Sequence, residues 1–260
     1  MWLDPISRKL LEGGPPAPVC LMYHSIPPTI SRNEWEVPFK CFDQHLCLLK
    51  EFGWATQTIS QIETVGSPKT AFITFDDGYE NNYAAFKSLL AHKFVATWFL
   101  VANAVGGTSD WEDNANYERQ PMLSADQIRE MDRGGMEIGS HGLSHTRLAA
   151  LAETTIEYEL GESKAALEAI VGHSINSFAY PFGTYNKTVR DIVAISGYAF
   201  ACTTKSGFGV VDDDLLQIRR ITVYPNDSLA TFARKLVFGD NHASWYKTIR
   251  YTFSRLAAKC

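Results

Sequence analysis

Hydrophobic and polar positions alternate along this chain in two periods that take turns. A Gly/Pro-rich lead over 13–18 gives way to VCLMYHSI, an apolar run rich in strand formers and stopped by Pro27 and Pro28. Phe42, Leu46, Leu49 and Phe52 then mark one face of a helix over 39–52, which Gly53 ends. KTAFITFDDGY repeats the pattern of strand followed by turn, and 82–92 reads as a helix with Tyr83, Phe86, Leu89 and Leu90 inward. FVATWFLV, 94–101, is continuously apolar, as a strand buried on both faces of a parallel sheet must be. A long loop with Gly106, Gly107 and Pro121 follows. Ser124 is placed to cap a helix over 125–133, and Gly134 and Gly135 separate it from the strand MEIGS. Ile156, Leu160, Leu167 and Val171 trace a helix over 153–171, and then come strand SFAYP, a helix over 187–196, and strands YAFACT and QIRRITV.

Strand and helix that alternate repeatedly along one chain imply a mainly parallel sheet wrapped by helices, and we expect an α/β fold of the distorted TIM-like (β/α) barrel type. Reactive side chains stand just beyond several strand runs, at His24, Asp76 and Asp77, His141 and Tyr180, where such a barrel assembles its site. No repeat or linker divides the chain. It reads as one catalytic domain over 1–260, with a core at 19–225 and a helical C-terminal extension at 228–260.

Composition narrows the function classes. The 260 residues are 45% hydrophobic, enough for a large core, and 24 Lys plus Arg against 29 Asp plus Glu give a net charge of -5. The basic footprint of a nucleic-acid binder is missing, so no nucleic-acid partner is expected. The most apolar stretch, 94–105, is far shorter than the roughly 18 residues that span a bilayer. The start MWLDPISRKLLEGGPPAPVC lacks the pattern of a signal peptide, and a cytoplasmic location is the expectation. Cys20, Cys41, Cys47, Cys202 and Cys260 are odd in number and show no CxxC spacing, which argues against a disulfide framework and against a Cys-rich zinc site. From 228 onward the chain is basic, with Trp245, Ile249 and Phe253 every four residues. Such a helix either docks on an anionic membrane as a peripheral contact or packs its aromatic stripe on the domain; the second is the plainer expectation.

Two constellations carry chemistry. In TFDDGY, Asp76 and Asp77 end an apolar strand and Gly78 lets the chain turn away. Either this is a solvated Asp-Gly turn, or a metal neutralises one carboxylate while its neighbour stays ionised as a base. In SHGLSHT, His141 and His145 lie four apart and share one side if the segment makes a helical turn. Alone they are two ordinary histidines; with an aspartate they form the two-histidine, one-carboxylate set that suits a divalent ion and leaves positions open for water and substrate. That set also serves non-haem iron oxygenases, which have no need of a second aspartate beside it.

TFDDG and HxxxH, in this order and on alternating strands and helices, make the chain resemble the polysaccharide deacetylase family, the NodB homology domain of carbohydrate esterase family 4, over roughly residues 19–225. The resemblance implies a metal-dependent hydrolase that removes N-acetyl groups from amino sugars in a glycan or its precursor. It implies Asp76 as general base and Asp77, His141 and His145 as ligands of one divalent ion, zinc first, with cobalt, nickel or manganese as alternatives. AYPFG, 179–183, is similar to the family's third motif, which makes Tyr180, Pro181, Phe182 and Gly183 a wall of the site and a source of a backbone N–H for an oxyanion. Here the chain departs from the pattern. The motif's arginine falls on Ala179, and Arg220 in QIRRITV is the candidate to replace it; without a replacement, a non-catalytic glycan-binding protein is the alternative. No late Leu-x-His motif follows either. LMYHSI resembles the permuted subgroup that deacetylates poly-N-acetylglucosamine, and by that resemblance His24 becomes the acid. His45, His92 and His173, without partners in sequence, read as surface residues.

Overall fold

The computed structural model describes residues 3–112 and 118–243. Ten strands form one sheet: β1 (Val19–Tyr23), β2 (Ala55–Gln57), β3 (Thr70–Phe75), β4 (Thr97–Leu100), β5 (Glu137–Ser140), β6 (Ser177–Ala179), β7 (Phe200–Cys202), β8 (Val210–Val211), β9 (Asp214–Ile218) and β10 (Ile221–Thr222). Their spatial order is β10-β1-β3-β4-β5-β6-β7-β9-β8, with β2 beside β3, and every pair is parallel except β8 with β9. Seven helices accompany them: α1 (Pro5–Gly13), α2 (Phe39–Glu51), α3 (Asn82–His92), α4 (Ala125–Arg133), α5 (Glu153–Val171), α6 (Lys187–Ile195) and α7 (Leu229–Phe238). The sheet curls as a barrel does. Among the described residues the ladder stays open between β10 and β8, so the expected barrel is a curled sheet without hydrogen-bonded closure.

The period of two decides which side chains go where. Cys20, Phe72, Phe99, Ala179, Cys202 and Ile218, one from each of six strands, meet in a single cluster inside the curl. Their neighbours Leu21, Tyr23, Ile73, Phe75 and Trp98 face the other way and join the larger core under the helices, where Phe75 and Trp98 stack at 4.5 Å. Helix starts follow local chemistry. Ser124 and Gln127 make a reciprocal capping box on α4, and Asn186 and Ser228 cap α6 and α7.

Several expectations need correcting. QIRRITV is not one strand: β9 stops at Ile218, β10 starts at Ile221, and the break turns Arg220 inward. Neither α1 nor β2 was legible as an element. His45 is no surface residue. It is buried on α2, 3.1 Å from the Tyr23 hydroxyl and stacked at 4.0 Å on Phe232 of α7, because position 45 shares the apolar face of Phe42, Leu46 and Leu49. His92 is also largely enclosed, whereas His173 is exposed and pairs with Asp132 at 2.8 Å. Of the C-terminal extension, α7 packs on the body of the domain; the stripe of Trp245, Ile249 and Phe253, and with it the membrane-contact reading, lies outside the described residues. None of the described helices is long and apolar enough to cross a membrane.

Candidate active site

The tip of β3 presents two carboxylates to opposite tasks. Asp76 continues the ladder, its N–H donating to Tyr23 O at 3.0 Å, and its carboxylate receives both arms of the Arg220 guanidinium, Nη1 to Oδ1 at 2.6 Å and Nη2 to Oδ2 at 2.7 Å. Arg220 is fully buried and further held by Thr203 O and Thr74 Oγ1. Burial alone raises the Asp76 carboxyl, but the guanidinium outweighs it and holds the group well below the usual carboxylate range. Asp76 is therefore an oriented anion.

Asp77 leaves the ladder in the left-handed region (φ 72), and Gly78 (φ 97) completes the turn where a Cβ would approach the Leu100 side chain to 2.9 Å. That turn carries the second carboxylate toward the end of β5. There His141 Nε2 stands 3.5 Å and His145 Nε2 3.3 Å from Asp77 Oδ1. One ligand atom from each of the three lies within 4.8 Å of the others, and all three residues are buried. The expected helical turn is absent. His141 and His145 converge through a loop in which Gly142 (φ 84) and His145 (φ 55) are both left-handed, anchored by the buried Glu159 carboxylate, which accepts from the N–H groups of Leu143 and Ser144 and from Ser144 Oγ.

The donor set fits a divalent cation. His141 Nδ1 donates to Ala179 O at 2.8 Å, which leaves the lone pair on Nε2 facing a carboxylate oxygen, acceptor against acceptor. Burial pushes both imidazoles below their ordinary pKa, so they stay neutral and able to ligate. Asp77, His141 and His145 could thus hold one metal ion, with space left on the cleft side for other ligands.

His24 follows β1 on the opposite wall, its ring 4.7 Å from that of Trp35 and its carbonyl gripped by Asn82 Nδ2 at 2.6 Å. Burial pushes its pKa down to about 4, against the pull of the nearby Asp76 carboxylate, so at neutral pH it rests uncharged. AYPFG forms the wall between β6 and α6. Gly183 and Thr184 spend their N–H groups inside the turn on Tyr180 O and Pro181 O, and the Tyr180 N–H goes to Cys202 O. Phe182, left-handed at φ 57, is the residue of this turn whose N–H enters none of these bonds. Its ring lies 4.5 Å from His145, and the Arg147 guanidinium sits 4.0 Å from its centre. Tyr180 is buried with its hydroxyl committed to Leu216 O at 3.0 Å, so it contributes wall and not a polar contact, and Pro181 is packed beneath the turn.

Together these groups line a cleft of about 400 Å³. Sequence reasoning had not found Trp35, Trp111, Tyr79 or Arg147, which also line it; Trp111 lies 4.9 Å from His145. Tyr79 closes TFDDGY but was assigned no part in the site, and the other three come from segments with no motif of their own. Arg220 does pair with Asp76, as its candidacy required.

Comparison with known proteins identifies the family of the chain. The family model described as polysaccharide deacetylase matches residues 64–201. YxkH of Bacillus subtilis (strain 168), whose name assigns it provisionally to the polysaccharide deacetylases, is 29% identical over 219 residues, 82% of this chain and 73% of YxkH. The poly-beta-1,6-N-acetyl-D-glucosamine N-deacetylase of Staphylococcus epidermidis is 26% identical over 79% of this chain and 69% of its own. Among solved structures, the Streptococcus pyogenes deacetylase PplD in complex with acetate superimposes with a TM-score of 0.74 at 25% identity, covering 85% of this chain and 99% of PplD. The match spans more than half of the chain and includes the turn of Asp76 and Asp77, the loop of His141 and His145 and the AYPFG segment, and on that ground the chain belongs to the polysaccharide deacetylase family.

Proposed function

We propose that this protein is a metal-dependent hydrolase that removes N-acetyl groups from amino-sugar residues of a glycan or glycan precursor. The family supports the reaction class, and relatives named for poly-N-acetylglucosamine support an N-acetylated glucosamine chain as substrate. The observation that carries the reading is the neighbouring pair of different carboxylates: Asp76 charge-balanced by Arg220, Asp77 facing two neutral imidazoles. Arg220 on Asp76 also favours an enzyme over a glycan-binding protein, since the lack of a motif arginine was the ground for that alternative.

In this reading Asp77, His141 and His145 hold the divalent ion, zinc by preference for this donor set. Bound there, it would polarise the acetyl carbonyl and acidify the attacking water. Every other part belongs to the chain itself. Trp35 and Trp111 offer flat apolar surfaces to the sugar ring. Asp76, held in place by two hydrogen bonds, accepts the proton of the attacking water; so strong an acid is a poor base toward bulk water, and its role requires water already acidified at the site. The Phe182 N–H donates to the oxyanion of the tetrahedral adduct. His24, uncharged at rest, takes up a proton from solvent as negative charge builds beside it and delivers that proton to the nitrogen as the C–N bond breaks, while Asp76 returns the proton it took from water to solvent, so that acetate and a free amine are released.

The test is acetate release from N-acetylated glucosamine oligomers, with and without prior removal of metal by a chelator. Release that stops on chelation and returns with zinc or cobalt supports the proposal. Release that is indifferent to metal removal contradicts it.

A further inference from the structure

A second group of ligand-type side chains sits away from the cleft, on the helical layer. Asp43 and Cys47, one turn apart on α2, share a face, and His92 in the last turn of α3 meets them; one ligand atom from each lies within 4.8 Å of the others. Ser88 Oγ of α3 donates to Asp43 Oδ1 at 2.7 Å and fixes the carboxylate's direction, as a supporting partner does behind a ligand. His92 Nε2 is 3.4 Å from Asp43 Oδ1, longer than a good N–H···O bond, and its Nδ1 is buried with no hydrogen-bond partner. The Cys47 side chain is exposed and can rotate to close the set.

We infer that Asp43, Cys47 and His92 form a binding site for a thiophilic divalent cation, of which Zn²⁺ is the model, clamping α2 to α3. The thiolate and the imidazole are the softer donors, which favour zinc over magnesium or calcium, and a carboxylate is compatible with zinc as a third ligand. Ligand bonds of about 2.0–2.3 Å place tetrahedral ligands roughly 3.3–3.8 Å apart, so a contraction of about 1 Å, available to the exposed Cys47 side chain, completes the geometry. Water takes the fourth position. The site differs from the cleft trio by its sulfur. It also lies at the far end of α3 from Asn82, whose first-turn amide holds the His24 carbonyl, so the clamp steadies the helix that supports one wall of the cleft.

Cobalt(II) reads the sulfur directly. Titrated into the chelator-stripped full chain, Co²⁺ should raise a near-ultraviolet thiolate-to-metal band that saturates within two equivalents, of which the sulfur-free cleft trio takes at most one, and that is absent from Cys47→Ser. His92→Ala and Asp43→Ala should each weaken the affinity read from that band tenfold or more, and Ser88→Ala, which only frees the carboxylate, by a few-fold. Zn²⁺ should displace the band and shield Cys47 from alkylation. No band with cobalt in excess, a band that survives Cys47→Ser, or an unchanged affinity in either His92→Ala or Asp43→Ala overturns the site. The cleft trio has no sulfur, so this outcome is independent of whether the cleft itself takes a metal.

Discussion

Asp76 and Asp77 are adjacent in sequence and both buried at the tip of β3, yet their surroundings are opposite. Around Asp76 the chain supplies a full countercharge in Arg220, with two hydrogen bonds and further anchors behind the guanidinium. Around Asp77 it supplies two imidazoles that burial keeps neutral, one of them pointing a lone pair at the carboxylate. The first carboxylate faces a full positive charge, and the second faces two uncharged rings. One residue of chain, turned through a left-handed conformation at Asp77, separates a carboxylate held by Arg220 from one that faces two histidines.

That contrast can be broken from either side. Removing a ligand should have the largest effect: in a Cys47→Ser background His141→Ala should lose both bound metal and acetate release to background, and a metal-free yet active His141→Ala protein would end the account. Next comes His24→Ala, which should lower kcat by about a hundredfold or more while leaving metal content and KM near wild type; a loss confined to KM would make His24 a binding residue. Arg220→Met should leave a buried, unpaired Asp76 and cost about 3–5 kcal/mol of stability in denaturant unfolding. Arg220→Lys, which keeps charge but not the two-armed geometry, should cost less stability while still lowering kcat. An Arg220→Met protein as stable as wild type would show that the pair is not the balance described.

The smallest expected effect concerns pH. His45 is pushed to about 3 by burial, with Lys235 adding to the shift, so between pH 6.5 and that value the unfolded chain takes up a proton that the folded chain refuses. Its contribution to stability is therefore complete above pH 6.5 and is lost as pH falls through the window, by up to about 1.4 kcal/mol per pH unit. Metal-free His45→Gln protein should show a shallower loss of stability between pH 6 and 4 than metal-free wild type. Equal slopes would contradict the assignment.

Where the information was local, the sequence was readable. TFDDG and SHGLSH each sit at one strand end, so the four groups that meet at the cleft could be named before their distances were known. Arg220 could be named only as a candidate, because its strand pattern hid the break between β9 and β10 that turns it inward. The route by which His145 reaches Asp77 was not legible: the loop that brings it there is anchored by Glu159 on α5, a contact sixteen residues away that no spacing rule encodes. Trp35 and Trp111 were missed for the same reason, as loop residues whose place depends on tertiary packing. His45 is the opposite case, since its position on the apolar face of α2 was in the periodicity and its polarity obscured it.

The central claim is that two neighbouring carboxylates divide the work, and parallel measurement of bound metal and acetate release in Asp76→Asn and Asp77→Asn tests it most directly. Asp76→Asn should retain about one metal equivalent in the cleft, counted in a Cys47→Ser background, and lose about two to four orders of magnitude in kcat. Asp77→Asn should lose that metal together with its activity. If the two variants lose metal equally, or if Asp76→Asn keeps wild-type turnover, the division does not exist.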